Sequence, residues 1–388
     1  MKFNKWTLGL AAVGAVSLTS AVRADEAKII PLQTALSNTT ISGYVDTAVQ
    51  YNAGNVASVG DTFVPAGTST AKVDSFSLND IDVAIDHPLD STPWAAGYHI
   101  DLNWGTDAIT YYGNVRQAYV ALSTPVGNGI QWKLGLQDDI IGYEGNTDAS
   151  NPNYTRSVGY FLEPTTLLGL VGSYQINSMI TVQGGIAEHF TGVSGGFSSD
   201  SEVSSKSFVG SVALTAPDSW GWVKGATLNA GLVENIYKGG ADNYYAGLTM
   251  PTPWSPLKVG ASFDLLSLAN QTSGTFGNSQ NDSGWVVGLY GNYQATDKLS
   301  FNLRGEYFDL TGGTTPESFS GTSLVDYSGS NGRGEELTAT VQYNLWANVT
   351  SRAEFRWDHA DTGVDFYGAG DSSTANSYIL ALNVIYTF

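Results

Sequence analysis

Residues 376–388, NSYILALNVIYTF, alternate almost without a break and stop on an aromatic residue. Tyr378, Leu380, Leu382, Val384, Tyr386 and Phe388 fall on one face. Ser377, Asn383 and Thr387 fall on the other, with Ile379, Ala381 and Ile385 as its apolar members. Strand side chains point alternately to opposite faces, so this segment has a greasy side and a mixed side. A soluble sheet could use that pattern but has no need of tyrosines at both ends of the apolar face. A bilayer-crossing strand does, because aromatic rings suit both lipid–water interfaces. The expectation is an all-β fold, a transmembrane antiparallel up-and-down β-barrel.

The amino terminus points the same way. Lys2 and Lys5 precede the apolar run TLGLAAVGAVSL, and AVRA-DEA follows, with small residues at a cleavage point after Ala24. That is the layout of a secretory signal peptide, residues 1–24, and the run is too short for a membrane helix. Removing it with Lys2, Lys5 and Arg23 takes the net charge from −19 to −22. Such acidity excludes nucleic acid as a partner, since binding it needs a basic surface. It is compatible with a membrane, because a barrel keeps its charge in loops and lumen. The absence of cysteine excludes disulfides and thiolate metal sites.

After a periplasmic lead-in at 25–38, with a short helical turn, residues 39–388 resolve into about sixteen alternating segments of strand length. They fall near 39–52, 74–87, 94–105, 114–124, 129–141, 165–175, 179–189, 206–215, 223–236, 243–250, 256–268, 284–295, 298–309, 335–346, 349–360 and 376–388. Every second connection is short: TPVGNG, QINSM, PDSWG, TPWSP, QATDK and LWAN. Those between are mostly long and polar, at 53–73, 142–164, 190–205, 269–283, 310–334 and 361–375. Short periplasmic turns opposite long extracellular loops are the asymmetry of a bacterial barrel.

Strand phase names the lumen residues. A charge facing lipid near the midplane is costly, so charges alternating with apolar residues must face in. Arg304 and Glu306 alternate with Leu303 and Tyr307; Arg352, Glu354 and Arg356 alternate with Ala353 and Phe355. Asp46, Asp80, Asp82, His99 and Asp101 form an acidic wall on the first three strands, and Lys133 lies inward on the fifth. Two readings stay open for the Arg/Glu ladder: it biases which solutes pass, or it stiffens the wall by cross-strand pairing. A barrel of this size is too wide for side chains to fill. The connection 142–164, rich in aromatics and carrying Tyr154, Arg156, Tyr160 and Glu163, is the candidate constriction; the bland alternative is a solvated surface loop.

The runs TALSNTTISGYVDTAVQYN, SFSLNDIDVAIDHPLD, AAGYHIDLNWGTDA, VRQAYVALSTPVGNGIQWKLGLQDDIIGYE and NPNYTRSVGYFLEPTTLLG resemble the β-barrel porins called OmpL-like. The resemblance is dense from Ile41 to Gln183 and diffuse beyond. It implies an outer-membrane barrel of a Gram-negative-type envelope with a porin role, and brings no catalytic residues. One departure is GLQDD, where a Gly-Lys-Phe-like end to the fifth strand would fit the family, and it makes the pore wall more acidic there.

Catalysis is not expected. The histidines are His87, His99, His189 and His359, and no nucleophile-elbow serine accompanies the inward His99 and Asp101. No cofactor and no metal site are expected; 361–372 lacks calcium-loop spacing. The expected function is a passive channel for small hydrophilic solutes or ions with a weak cation preference, set by Asp46, Asp80, Asp82 and Asp101. The alternatives are an adhesive or structural barrel acting through long loops, and an outer-membrane enzyme. Expected partners are outer-membrane lipid, the transported solutes, the assembly machinery at Phe388, and further copies in a homo-oligomer, as wide porins tend to form.

Overall fold

The computed structural model describes residues 32–33, 38–53, 72–108, 112–188, 206–234, 242–267, 283–310, 332–361 and 375–388. The expected leader, nearly all of the lead-in, His189 and most of the long connections apart from 142–164 lie outside the described residues.

Sixteen strands form one closed wall. They are β1 (Thr40–Ala53), β2 (Ser75–His87), β3 (Ala96–Trp104), β4 (Val115–Thr124), β5 (Ile130–Asp138), β6 (Thr166–Gln175), β7 (Ile180–Ala187) and β8 (Ser207–Thr215). Then follow β9 (Thr227–Glu234), β10 (Asp242–Pro251), β11 (Leu257–Ser267), β12 (Ser283–Gln294), β13 (Leu299–Leu310), β14 (Gly332–Trp346), β15 (Val349–Ala360) and β16 (Asn376–Thr387). Each pairs antiparallel with the next, and β16 returns to β1 with Leu382 opposite Val49. Closure satisfies every edge, which a bilayer demands. Phe388 completes the seam: its N–H donates to the Gly43 carbonyl at 2.9 Å and its carbonyl accepts from Gly43 N–H at 3.1 Å.

The outward face of β16 is as the alternation requires. Leu380 and Leu382 are 51% and 58% exposed, while Ile379 between them and Tyr378 is fully buried. The same split runs through β13, where Leu303 is exposed and Arg304 is fully buried.

Two β-bulges reset the phase of the early strands. The β1–β2 register shifts between Asp46 and Thr47, leaving Asn79 unpaired. Phe76 and Leu78 therefore face out while Asp80, of the same parity, is buried inside. The β3–β4 register shifts between Asp101 and Leu102, with Asp101 opposite Gln117 and Leu102 opposite Val115, so Arg116 is the extra residue. A bulge re-aims the side chain it carries. Without this one, the phase of the exposed Val120 and Leu122 would send Arg116 into lipid.

Three local expectations are corrected. Leu32–Gln33, expected near a helical turn, is a two-residue strand paired with Ile41 and Thr40. The fifth strand ends at Asp138 rather than 141, because the chain there turns into the barrel. The ninth starts at Thr227 rather than 223, since Asp218–Val223 forms a 3₁₀ segment broken at Gly221 (φ 65°), a left-handed conformation that favours glycine.

Candidate functional site

The segment 139–165 between β5 and β6 enters the barrel and lies buried along most of its length. It crosses to β13, β14 and β15, the strands halfway round the wall from β5 and β6. Ordering a residue costs about 1–2 kcal/mol of chain entropy. A hydrogen bond to a charged group returns about 1.5–3 kcal/mol. A connection this long therefore stays docked only if its anchors are dense, and the charged ladder supplies them.

Glu354 on β15 accepts from the backbone N–H of Tyr154 at 2.5 Å and of Thr155 at 2.9 Å, and from the Thr155 hydroxyl at 2.6 Å. Glu306 on β13 accepts from the N–H groups of Val158 at 2.6 Å and Gly159 at 3.1 Å. Those two amides open the single helical turn α1 (Val158–Leu162), whose first N–H groups have no partner within the helix. Ser157 caps the same turn, its hydroxyl accepting from Tyr160 N–H at 3.0 Å. Arg304 donates to the Thr155 carbonyl at 2.8 Å and to Glu144 at 2.7 Å. Arg356 donates to the Arg156 carbonyl at 2.6 Å, and Arg352 to the Asp148 carbonyl at 3.1 Å. The ladder thus does a third thing beside the two expected of it: it grips the backbone of the inserted loop.

The four loop residues singled out from sequence all lie inside. Tyr154, Arg156, Tyr160 and Glu163 are buried. Arg156 donates to Asp148 at 2.8 Å and lies over the Tyr160 ring, 5.5 Å from its centroid. Glu163 is held against Asp264 of β11; burial first, then that neighbouring carboxylate, push its carboxyl well above the usual range.

Aromatic rings close the side of the lumen facing β10–β12. Tyr143 of the loop stacks on Tyr290 with centroids 3.8 Å apart, and Tyr245 and Ile141 complete the cluster. Gly260 on β11 makes room for it, because a Cβ there would coincide with the Tyr143 hydroxyl.

The acidic wall is inward but largely satisfied. Asp46 accepts from Asn383 at 3.0 Å, and Asp80 accepts from Asn103 at 2.7 Å and from the Tyr44 hydroxyl. Asp101 pairs with Arg116, whose guanidinium also lies 3.7 Å from Asp82 and 2.7 Å from Asp138. Arg116 escaped the sequence reading because a bulge sets its direction; the legible signal was a lone arginine in the phase of lipid-facing residues. Glu144 and Asp148, which join the loop to the ladder, also lacked a periodic signal.

Among the described residues a cleft of about 520 Å³ runs along the inner face of β2–β7. It reaches from the turns at 88–93 and 125–129 up to Asp138 and Asp139, and His99, Tyr119 and Lys133 line it. His99 stacks on Tyr119 at 5.2 Å, and the Lys133 ammonium lies 4.7 Å from the same ring. None of Asp46, Asp80, Asp82 or Asp101 lines this cleft; Asp86, Asp90, Asp138 and Asp139 do. Burial pushes the Asp139 carboxyl well above the usual range. A second cavity of about 240 Å³ lies under the loop, between Asn151, Asn302, Gln342 and Arg352.

A family model described as "Putative beta-barrel porin-2, OmpL-like" matches residues 38–388. No curated protein sequence matches. Among solved structures, the outer membrane channel DcaP of Acinetobacter baumannii is similar with a TM-score of 0.61 at 12% identity, over 92% of this chain and 100% of that one. An anion-selective porin from Comamonas acidovorans is similar with a TM-score of 0.56 at 13% identity, over 90% and 99% of the two chains. OmpT of Vibrio cholerae gives 0.55 at 12% identity, over 92% and 100%. At such identities the likeness is one of fold.

Proposed function

We infer that this chain, which belongs to the OmpL-like family of β-barrel porins, is a passive outer-membrane diffusion channel for small hydrophilic solutes and ions, weakly cation-preferring. One observation carries the reading. Beside the inserted loop an off-centre cleft runs along β2–β7, lined by charged, polar and aromatic side chains. Its carboxyl groups are Asp86, Asp90, Asp138 and Asp139 against Lys133 as the single lysine or arginine of that lining, a balance that favours cations. His99 and the aromatic face of Tyr119 line it.

The cation preference sets this chain apart from the Comamonas acidovorans porin, which is described as anion-selective. Selectivity in a shared fold follows from the wall charges and need not be shared. Outer-membrane lipid around the apolar face and assembly machinery acting at Phe388 belong to the same reading, as does association with further copies. The test is single-channel conductance of the refolded protein in planar bilayers across a salt gradient. Stable steps with a cation-biased reversal potential support the whole reading. Steps without bias keep the channel and remove the preference. No steps from folded, inserted protein would overturn it and favour an adhesive or enzymatic barrel.

A further inference from the structure

One cluster on the outer surface of the barrel has no part in the lumen. Glu335 on β14 stands directly across the strand pair from His359 on β15. Asp361 follows at the end of β15, held beside β14 because its N–H donates to the Arg333 carbonyl at 2.8 Å. One ligand atom from each of Glu335, His359 and Asp361 lies within 4.8 Å of the other two. The His359 Nε2 is 4.0 Å from Asp361 Oδ1. Among the described residues, no lysine or arginine lies within ion-pair distance of Glu335.

The second observation concerns the far side of the imidazole. Asn376 Oδ1 accepts from the Trp357 indole N–H at 2.8 Å and lies 2.9 Å from His359 Nδ1. An indole nitrogen only donates, so the asparagine atom facing it is the oxygen. An amide oxygen only accepts, so His359 Nδ1 must carry the hydrogen. In the neutral ring this leaves the lone pair on Nε2, the nitrogen 4.0 Å from Asp361 Oδ1. A metal-ligating histidine is oriented in this way, its other nitrogen donating to an oxygen outside the ligand set. Stacking on Trp357, with centroids 5.7 Å apart, fixes the plane of the ring.

We propose that Glu335, His359 and Asp361 form a divalent-cation site of the zinc class at the long-loop rim of the barrel, on its outer face. One imidazole nitrogen with two carboxylates is a donor set for zinc or a similar borderline ion, with a fourth position left for water. Zinc bonds to such ligands are about 2.1 Å, so two ligands of one ion stand no more than about 4.2 Å apart. In a tetrahedral site such ligands stand about 3.4 Å apart, so the widest pair closes by up to about 1.4 Å, a shift the exposed Asp361 can make. The spacing was invisible in the sequence because Glu335 is brought to the other two by strand register alone. The site is independent of conduction.

Zinc alone, titrated calorimetrically into the folded full-length barrel in detergent, tests this. The expected result is one strong zinc site per barrel, weakened at least 10-fold by His359→Gln and by Asp361→Asn. Glu335→Gln, nearly isosteric, serves as the second variant, with heat-modifiable gel mobility confirming that each barrel is folded. Cobalt in place of zinc should give a visible spectrum that His359→Gln abolishes. Absence of strong zinc binding, or binding of unchanged affinity in the folded variants, would overturn the site.

Discussion

Glu354 and Thr155, 199 positions apart in the chain, meet through two hydrogen bonds to one carboxylate oxygen: the Thr155 amide at 2.9 Å and its hydroxyl at 2.6 Å. A third bond from the Tyr154 amide, at 2.5 Å, reaches the other oxygen. The acid that strand phase assigns to the pore wall is therefore committed to holding the element that narrows the pore.

Replacing Glu354 with alanine, together with Glu306→Ala, removes five such bonds at once. Each is worth about 1.5–3 kcal/mol, so the loop should leave its berth for part of the time. Planar-bilayer recordings should then show larger, noisier steps. Conductance indistinguishable from wild type would mean the loop is held by other contacts.

The ion preference should follow the cleft rather than the buried wall. Asp86→Asn with Asp138→Asn should move the reversal potential in a salt gradient toward anions. Asp46→Asn should leave it nearly unchanged, because Asp46 is 1% exposed and bonded to Asn383. The opposite ranking would return control to the residues picked out by the sequence.

Asp107, in the connection after β3, is ion-paired with the buried Lys72, yet burial outweighs that partner and raises its carboxyl to about 6. A folded-state value above the unfolded one, 3.8, means the folded protein holds the proton more tightly. Stability from this group is thus present at low pH and declines as pH rises from about 4 to about 6, by roughly 3 kcal/mol at most. Asp107→Asn should flatten that stretch of the profile in urea unfolding from lipid vesicles. A parallel profile in the variant would assign the effect elsewhere.

On the lipid face, Leu382→Arg should destabilise the folded barrel by about 2–4 kcal/mol if this exposed leucine is near the midplane. The reversible folding equilibrium in vesicles measures it. A cost near zero would place Leu382 at an interface or in a subunit contact.

The wall was legible because its rule is local. Period-two alternation with a penalty for charge in lipid orients β13, β15 and β16 residue by residue, including the outward residues Tyr378, Leu380, Leu382, Val384 and Tyr386 of β16. What alternation cannot express is an interruption of itself. Asn79 and Arg116 stand on bulges, and each bulge turns an acidic or basic side chain inward against the phase of its own strand. The inserted loop was legible as aromatic and charged, and so as a candidate for the interior. Its anchors were not, since Glu306 and Glu354 bind backbone amides, and an amide has no letter in the sequence. The cleft was hidden for the same reason: which aspartates face it depends on which ones the loop and Arg116 cover.

The crossing of the loop from β5 and β6 to the strands diametrically opposite has a mechanical side. A thin-walled tube yields most easily by going oval, and a tie across one diameter opposes that distortion along its own axis. Lateral pressure from the surrounding bilayer would therefore load this barrel unevenly. Because a closed wall of fixed circumference shortens one diameter only by lengthening the one across it, the tie stiffens both, and the oval distortion left free has its axes oblique to the loop.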